Sequence, residues 1–275
     1  LCHPNGWWRD EAQKLLVLRK ETNAIPLLKN MVKQAEKGLA RAHALWTLDG
    51  MGEWDESLVL SAIKDKNIEV RLAALRIAGE RLLHHEASNA LLDAVGQALP
   101  DDDLDIAAQR LMSLSFYKKQ TKAHVVRAGH IERVLNAAGK FIDKEIIAKA
   151  FMVALNSAEY IPALELLSKE TRFQDGHPLP QHLAFACFTL ADKEASFTAL
   201  LDFTAQTQSG FRASVLEGFR IGTQGGRSVS RDLIRCKSKP SGLTRMEEAG
   251  VTEFNLAILY DLLTCLLYTS PSPRD

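Results

Sequence analysis

The repetition of one helical unit is the feature that most narrows what this chain can fold into. Val70-Arg-Leu-Ala-Ala-Leu-Arg-Ile-Ala-Gly79 follows an aspartate-containing turn at Asp65. At helical spacing Val70, Ala73, Ala74 and Ile77 share one face, while Leu72, Leu75 and Leu82 share another. A helix apolar on more than one side must be covered on more than one side, as it is when helix pairs stack. A similar unit, Ala40-Arg-Ala-His-Ala-Leu-Trp-Thr-Leu48, lies 30 residues upstream (Arg41 to Arg71). Another, Leu104-Asp-Ile-Ala-Ala-Gln-Arg-Leu-Met112, lies 34 residues downstream (Val70 to Leu104). Looser echoes occur at Glu145–Leu155 and Phe211–Ile221. Small alanines inside each unit allow close helix approach, and an Asp or Asn ahead of the helix can cap its free N–H groups. A two-helix repeat of about 30 to 40 residues is the signature of an α-solenoid. The expectation is therefore an all-α fold of stacked helix pairs.

The aspartate turn followed by Val-Arg-x-Ala-Ala-Leu resembles the short bacterial form of the HEAT repeat. The Trp and Gly-Tyr spacing of tetratricopeptide repeats is missing, as is the Thr-Pro-Leu-His of ankyrin repeats. Within this reading the domains run as a junction element and first helix (1–17), the repeat array (18–222), a Gly/Ser/Pro-rich loop or linker (223–242) and further helix (243–264). The last eleven residues, Cys265-Leu-Leu-Tyr-Thr-Ser-Pro-Ser-Pro-Arg-Asp275, resemble a translated sequencing adapter and are expected to be a non-native tail. With Leu1 rather than Met at the start, residues 1–264 are expected to be an internal piece of a longer protein.

Charge restricts the partners. Lys plus Arg equals Asp plus Glu at 34 each, so the basic excess usual in nucleic-acid binders is missing. The sequence also holds no apolar run near the length of about 18 residues that a membrane helix needs. Setting Cys265 aside, Cys2, Cys187 and Cys236 are too widely spaced for a disulfide framework and form no Cys-x-x-Cys pair.

The most distinctive stretch is His3-Pro-Asn-Gly-Trp-Trp-Arg-Asp-Glu-Ala-Gln-Lys-Leu-Leu-Val17. Asn5-Gly6 reads as a turn with Asn5 as helix cap. Trp8, Ala12, Leu15 and Leu16 fall on one face, so one indole can enter the core while the other covers a neighbour. This stretch, with Arg41-Ala-His-Ala-Leu-Trp-Thr-Leu-Asp-Gly-Met-Gly52, resembles large exported dehydrogenase-like proteins of Planctomycetes, Verrucomicrobia and related bacteria. The resemblance is specific over residues 3–82 and architectural from there to 264. In that family a β-propeller of the glucose/sorbosone dehydrogenase type precedes HEAT-like repeats, and a c-type cytochrome domain follows.

The resemblance implies that this chain is the helical middle section of an exported, periplasmic protein. It would be non-catalytic, with any PQQ-like cofactor or haem c, and any oxidoreductase activity, in flanking domains. Its partners would be those domains, with Trp7, Trp8, Arg9 and Asp10 at the propeller junction. A stand-alone scaffold binding another protein is the alternative. HEAT-like bilin lyases and DNA-repair glycosylases are remoter rivals, the latter disfavoured by neutral charge.

Other candidates reduce to structure. Arg41, His43, Asp65 and Arg71 are expected to tie one repeat to the next: the arginines through acidic residues of a neighbouring repeat, His43 through a hydrogen bond between stacked helices. Arg76 is read in the same way. Asp101-Asp102-Asp103 lacks the ligand spacing of a calcium loop and is expected to cap a helix. His84-His85 lies on diverging helical positions, unsuited to a metal. Gly225-Gly226-Arg227-Ser228 lacks the Lys-Ser/Thr of a phosphate loop.

Overall fold

The computed structural model describes residues 1–84, 88–117, 125–174, 176–187, 193–224 and 239–251. Most of the 223–242 loop, residues 252–264, the 265–275 tail, His85, His124 and Cys236 lie outside the described residues. Those described are helical throughout, with no strand among them. They divide into two compact units, residues 1–122 with 127–155, and residues 123–126 with the chain from 156 on.

Unit 1 holds nine helices among its described residues: α1 (Gly6–Arg19), α2 (Ile25–Gln34), α3 (Gly38–Gly50), α4 (Glu56–Ala62), α5 (Ile68–His84), α6 (Asn89–Gly96), α7 (Leu104–Tyr117), α8 (His130–Ala138) and α9 (Glu145–Ala154). Four of their starts are fixed by side chains that take up free backbone donors. Asn5 accepts from Trp7 N at 2.9 Å, Asp55 from Leu58 N at 3.2 Å, Ser88 from Leu91 N at 3.0 Å and Asp103 from Ile106 N at 2.9 Å. α1 stops where Lys20 turns left-handed, its N–H bonding back to Leu16 O and Val17 O.

Two rows result. α3, α5, α7 and α9 pack side by side with α1 against α3, while α2, α4, α6 and α8 neighbour one another behind them. Each helix of the second row also packs on its successor in the first. The first row repeats its register. Val70, Arg71, Ala74, Leu75, Ile77 and Ala78 of α5 are buried. So are Ala40, Arg41, Ala44, Leu45, Thr47 and Leu48 of α3, 30 residues earlier. Ile106, Ala107, Arg110, Leu111, Ser113 and Leu114 of α7 match them 36 residues later. Packing thus sets the second offset two residues beyond the sequence spacing, because Leu104 opens α7 partly exposed and Ile106 is the first side chain inside. Ile147, Ala148, Phe151 and Ala154 continue the pattern in α9.

Unit 2 contains α10 (Tyr160–Leu167), α11 (Pro178–Cys187), α12 (Lys193–Thr204), α13 (Ser209–Gln224) and α14 (Ser241–Glu248). α11 packs on α13, while α12 packs on α10 and α14. A capping box at Asn156 and Glu159 leads the chain toward α10. Phe173, Phe211 and Phe219 are fully buried in this unit.

Candidate functional site

The polar interior of unit 1 holds a ladder of arginines and aspartates at the turns between paired helices. Arg41 opens the ladder on α3. Its Nε and one terminal nitrogen donate to both Asp65 oxygens at 2.9 and 2.7 Å, and the other terminal nitrogen donates to Ala35 O and Glu36 O at 2.6 and 3.0 Å. Arg71, 30 residues on, repeats the role by donating to Asp65 O at 2.9 Å and to the Asp101 carboxylate at 3.0 Å. Each guanidinium therefore holds carbonyls left free after one helix and a carboxylate from another segment, a fork that lysine cannot reproduce.

The third rung differs. Arg110 is wholly buried and donates through Nε to Asp102 at 2.9 Å and through one terminal nitrogen to Ala94 O and Val95 O at 2.9 and 3.0 Å. Asp102 also accepts from Leu99 N at 2.8 Å and faces Arg71 Nε at 3.4 Å. Burial pushes the Arg110 guanidinium below its ordinary value, against the pull of Asp102 and with the push of Arg71. Only Asp103 of the three aspartates acts as the expected cap. Asp101 and Asp102 are ion-pair partners instead, because the turn directs them at the two arginines.

His43 connects α3 to α1. Its Nδ1 lies 2.8 Å from the side-chain oxygen of Gln13 and its Nε2 lies 4.0 Å from Asp10. Burial first, then the charge of Arg9, lowers its proton affinity below that of a free imidazole, with Asp10 opposing. The fold thus prefers neutral His43. Its contribution is complete above the free value of 6.5 and is lost as the pH falls below it. Amide hydrogen exchange in α1 is expected to accelerate relative to α3 between pH 7.5 and about pH 5.5. In His43→Gln, which keeps a hydrogen bond to Gln13 without a titrating ring, that acceleration is expected to disappear; its persistence would clear His43 of the effect.

The amino-terminal motif folds on itself. Arg9 donates to His3 O and Pro4 O at 2.8 and 2.9 Å. Trp7 and Trp8 meet edge to face with ring centroids 4.7 Å apart, and Trp8 also faces His3. Neither indole enters the core: they are 59% and 54% exposed. This corrects the expectation of one buried ring. α1 has no fully buried residue, so both rings can project from its first turn.

Two cavities lie elsewhere. One of about 540 Å³ in unit 2 is flanked by the carboxyl ends of α10 and α12 and includes Glu165, Gln174, Phe203 and Gln208. One of about 300 Å³ in unit 1 lies between Pro100, Asp102, Ala137 and Phe141. Arg76 stands over Trp46 at 5.9 Å rather than in an ion pair. His84 ends α5 exposed, with Glu80 at 3.9 Å. Among the described residues no group of three or more His, Cys, Asp or Glu converges as metal ligands. Nor is any single helix among them long and apolar enough to cross a membrane. Cys187 is buried, which pushes its thiol up to about 12 and keeps it from acting as a thiolate. Comparison with protein-family models, curated proteins and solved structures found no match.

Proposed function

We propose that the chain is an α-solenoid of HEAT-like helix pairs serving as a non-catalytic interaction and spacer module. One observation carries this reading. Buried arginines of unit 1 tie its helix pairs together: Arg41 to Asp65 and Arg71 to Asp101 and Asp102 join one pair to the next, while Arg110 to Asp102 closes the α6–α7 pair, whose turn Arg71 also grips. Such an array gains its use from the spacing and rigidity of its rungs and from the long surface that stacking exposes.

In the fuller reading, it is the helical section of an exported dehydrogenase-like protein, positioning a β-propeller on one side and a c-type cytochrome domain on the other. The residues present do not fit covalently held haem. The sequence has no Cys-x-x-Cys-His, and Cys187 is sealed inside unit 2. Redox chemistry therefore belongs to the flanking domains in this proposal. Extending the sequence of the encoding locus both ways tests it. Propeller strands upstream and a haem-attachment motif downstream support it; start and stop codons close to this stretch, with neither domain, leave a free-standing scaffold.

The Trp7–Trp8 pair is the proposed junction. Replacing both by alanine is expected to change the stability of this chain by about 0.5 kcal/mol or less, the usual range for exposed positions. The same change in the full-length protein is expected to alter domain arrangement in small-angle scattering. An unchanged scattering profile would take the pair out of the junction.

A further inference from the structure

The repeated register of unit 1 places four surface side chains in line. Arg76 follows Trp46 by 30 residues and Met112 follows Arg76 by 36, the offsets at which the buried positions of α3, α5 and α7 superimpose. Val153 holds the same place in α9, two residues after buried Phe151, as Met112 stands two after buried Arg110. These four helices neighbour one another in that order, so the positions form a stripe across the row. Met112 is 46% and Val153 55% exposed, and the Arg76 guanidinium lies over the Trp46 ring at 5.9 Å. Trp, Arg and Met are types enriched where proteins bind one another.

One edge of the stripe is acidic. Asp49 follows Trp46 by three residues and Glu80 follows Arg76 by four, spacings that keep each on its neighbour's helix face. Burial and then the charge of Glu80 raise the proton affinity of Asp49. A repelled carboxylate beside an apolar stripe is relieved by a cation brought from outside.

We infer that this stripe, with Asp49 and Glu80 at its edge, docks a segment of another protein carrying large apolar side chains beside Lys or Arg. The inference rests on the interaction-module reading and deepens it by giving the partner a chemistry. Apolar side chains cover Trp46, Met112 and Val153, and the basic groups meet the acidic pair. Arg76, already stacked on Trp46, lies within the stripe between Trp46 and Met112.

The test uses three fluorescein-labelled peptides sharing one leucine pattern, with Lys, Gln or Glu at every other position. Each is titrated with the whole 275-residue chain at physiological salt and followed by anisotropy. Binding is expected in the order Lys, Gln, Glu. Asp49→Asn with Glu80→Gln is expected to weaken the Lys peptide about fivefold, the scale of two exposed ion pairs, while sparing the Gln peptide. Met112→Ser with Val153→Ser is expected to weaken all three about tenfold through lost apolar contact. Melting curves check that the variants fold, and all four positions are exposed.

Equal binding of the Lys and Glu peptides overturns the inference, as does binding indifferent to either double variant or no binding at all. A dimer in sedimentation that Met112→Ser with Val153→Ser dissolves also overturns it, by giving the stripe to a second copy. A locus without propeller or cytochrome sinks the spacer reading and leaves this inference standing; failure of the peptides does the reverse.

Discussion

Asp102→Ala is expected to cost unit 1 about 3–5 kcal/mol, the range for a buried ion pair that loses one partner. Asp102 is 4% exposed and serves two donors and a second guanidinium charge. It accepts from Arg110 Nε and Leu99 N and faces Arg71 Nε. Alanine would leave Arg110 buried with two carbonyls and no counter-ion, and free the turn that Leu99 N holds. Arg71 would keep Asp101, whose side chain is 64% exposed. Asp101→Ala is the matched control. It removes a solvent-screened pair and is expected to cost about 0–1 kcal/mol. Urea unfolding followed by far-ultraviolet circular dichroism separates the two. Equal losses for both variants would show that the network is not organised around Asp102.

The second large effect is expected in unit 2, at Gly218 of α13. A Cβ there would stand 2.4 Å from Gln181 O and 2.8 Å from the Ala184 methyl group of α11. Gln181 O belongs to a helix backbone and cannot swing away, so α11 and α13 would have to part. Gly218→Ala is expected to destabilise by about 1–3 kcal/mol, the usual cost of overpacking. Gly218→Val is expected to cost more. Gly38 makes the contrast: its added Cβ would come within 2.2 Å of Asn67, but of side-chain atoms only. That side chain can turn away about its Cα–Cβ bond, giving up only its long bond from Val70 N, so Gly38→Ala is expected to cost less despite the shorter distance. Thermal unfolding of the two alanine variants decides it, and a greater loss at Gly38 would reverse the argument.

The helical units of unit 1 were legible because burial there follows a spacing visible in the letters. Val70, Ala73, Ala74 and Ile77 were expected to be covered, and are buried. Arg41 donates to Asp65 and Arg71 to Asp101, each an aspartate in a turn ahead of a later helix. His43 of α3 meets Gln13 of α1.

Arg110 escaped notice because it fills the register place of Ala44 and Ala74, where a small residue is the pattern. Its one signal was a run of three aspartates seven to nine residues ahead, and a helix cap accounts for only the last. The Trp pair misled for another reason. Periodicity shows that a face is apolar but not whether a helix lies against it, and α1 ends the row packed on α3. The acidic edge at Asp49 and Glu80 was equally hidden, since it depends on two residues brought together by packing of α3 on α5.

The arginine rungs bear on how such a chain can change length. The offset from α3 to α5 is 30 residues and that from α5 to α7 is 36, yet the buried positions agree. Arg71 reaches an aspartate 30 positions away, whereas Arg110 reaches one only eight away. Alignment is therefore set by the carbonyls and carboxylates each guanidinium grips, not by the number of residues looping between them. Insertions and deletions can accumulate in the connections, as the six extra residues before α7 illustrate, while neighbouring helices stay in step. A lineage of such chains would diverge in loop length first and lose its rungs last.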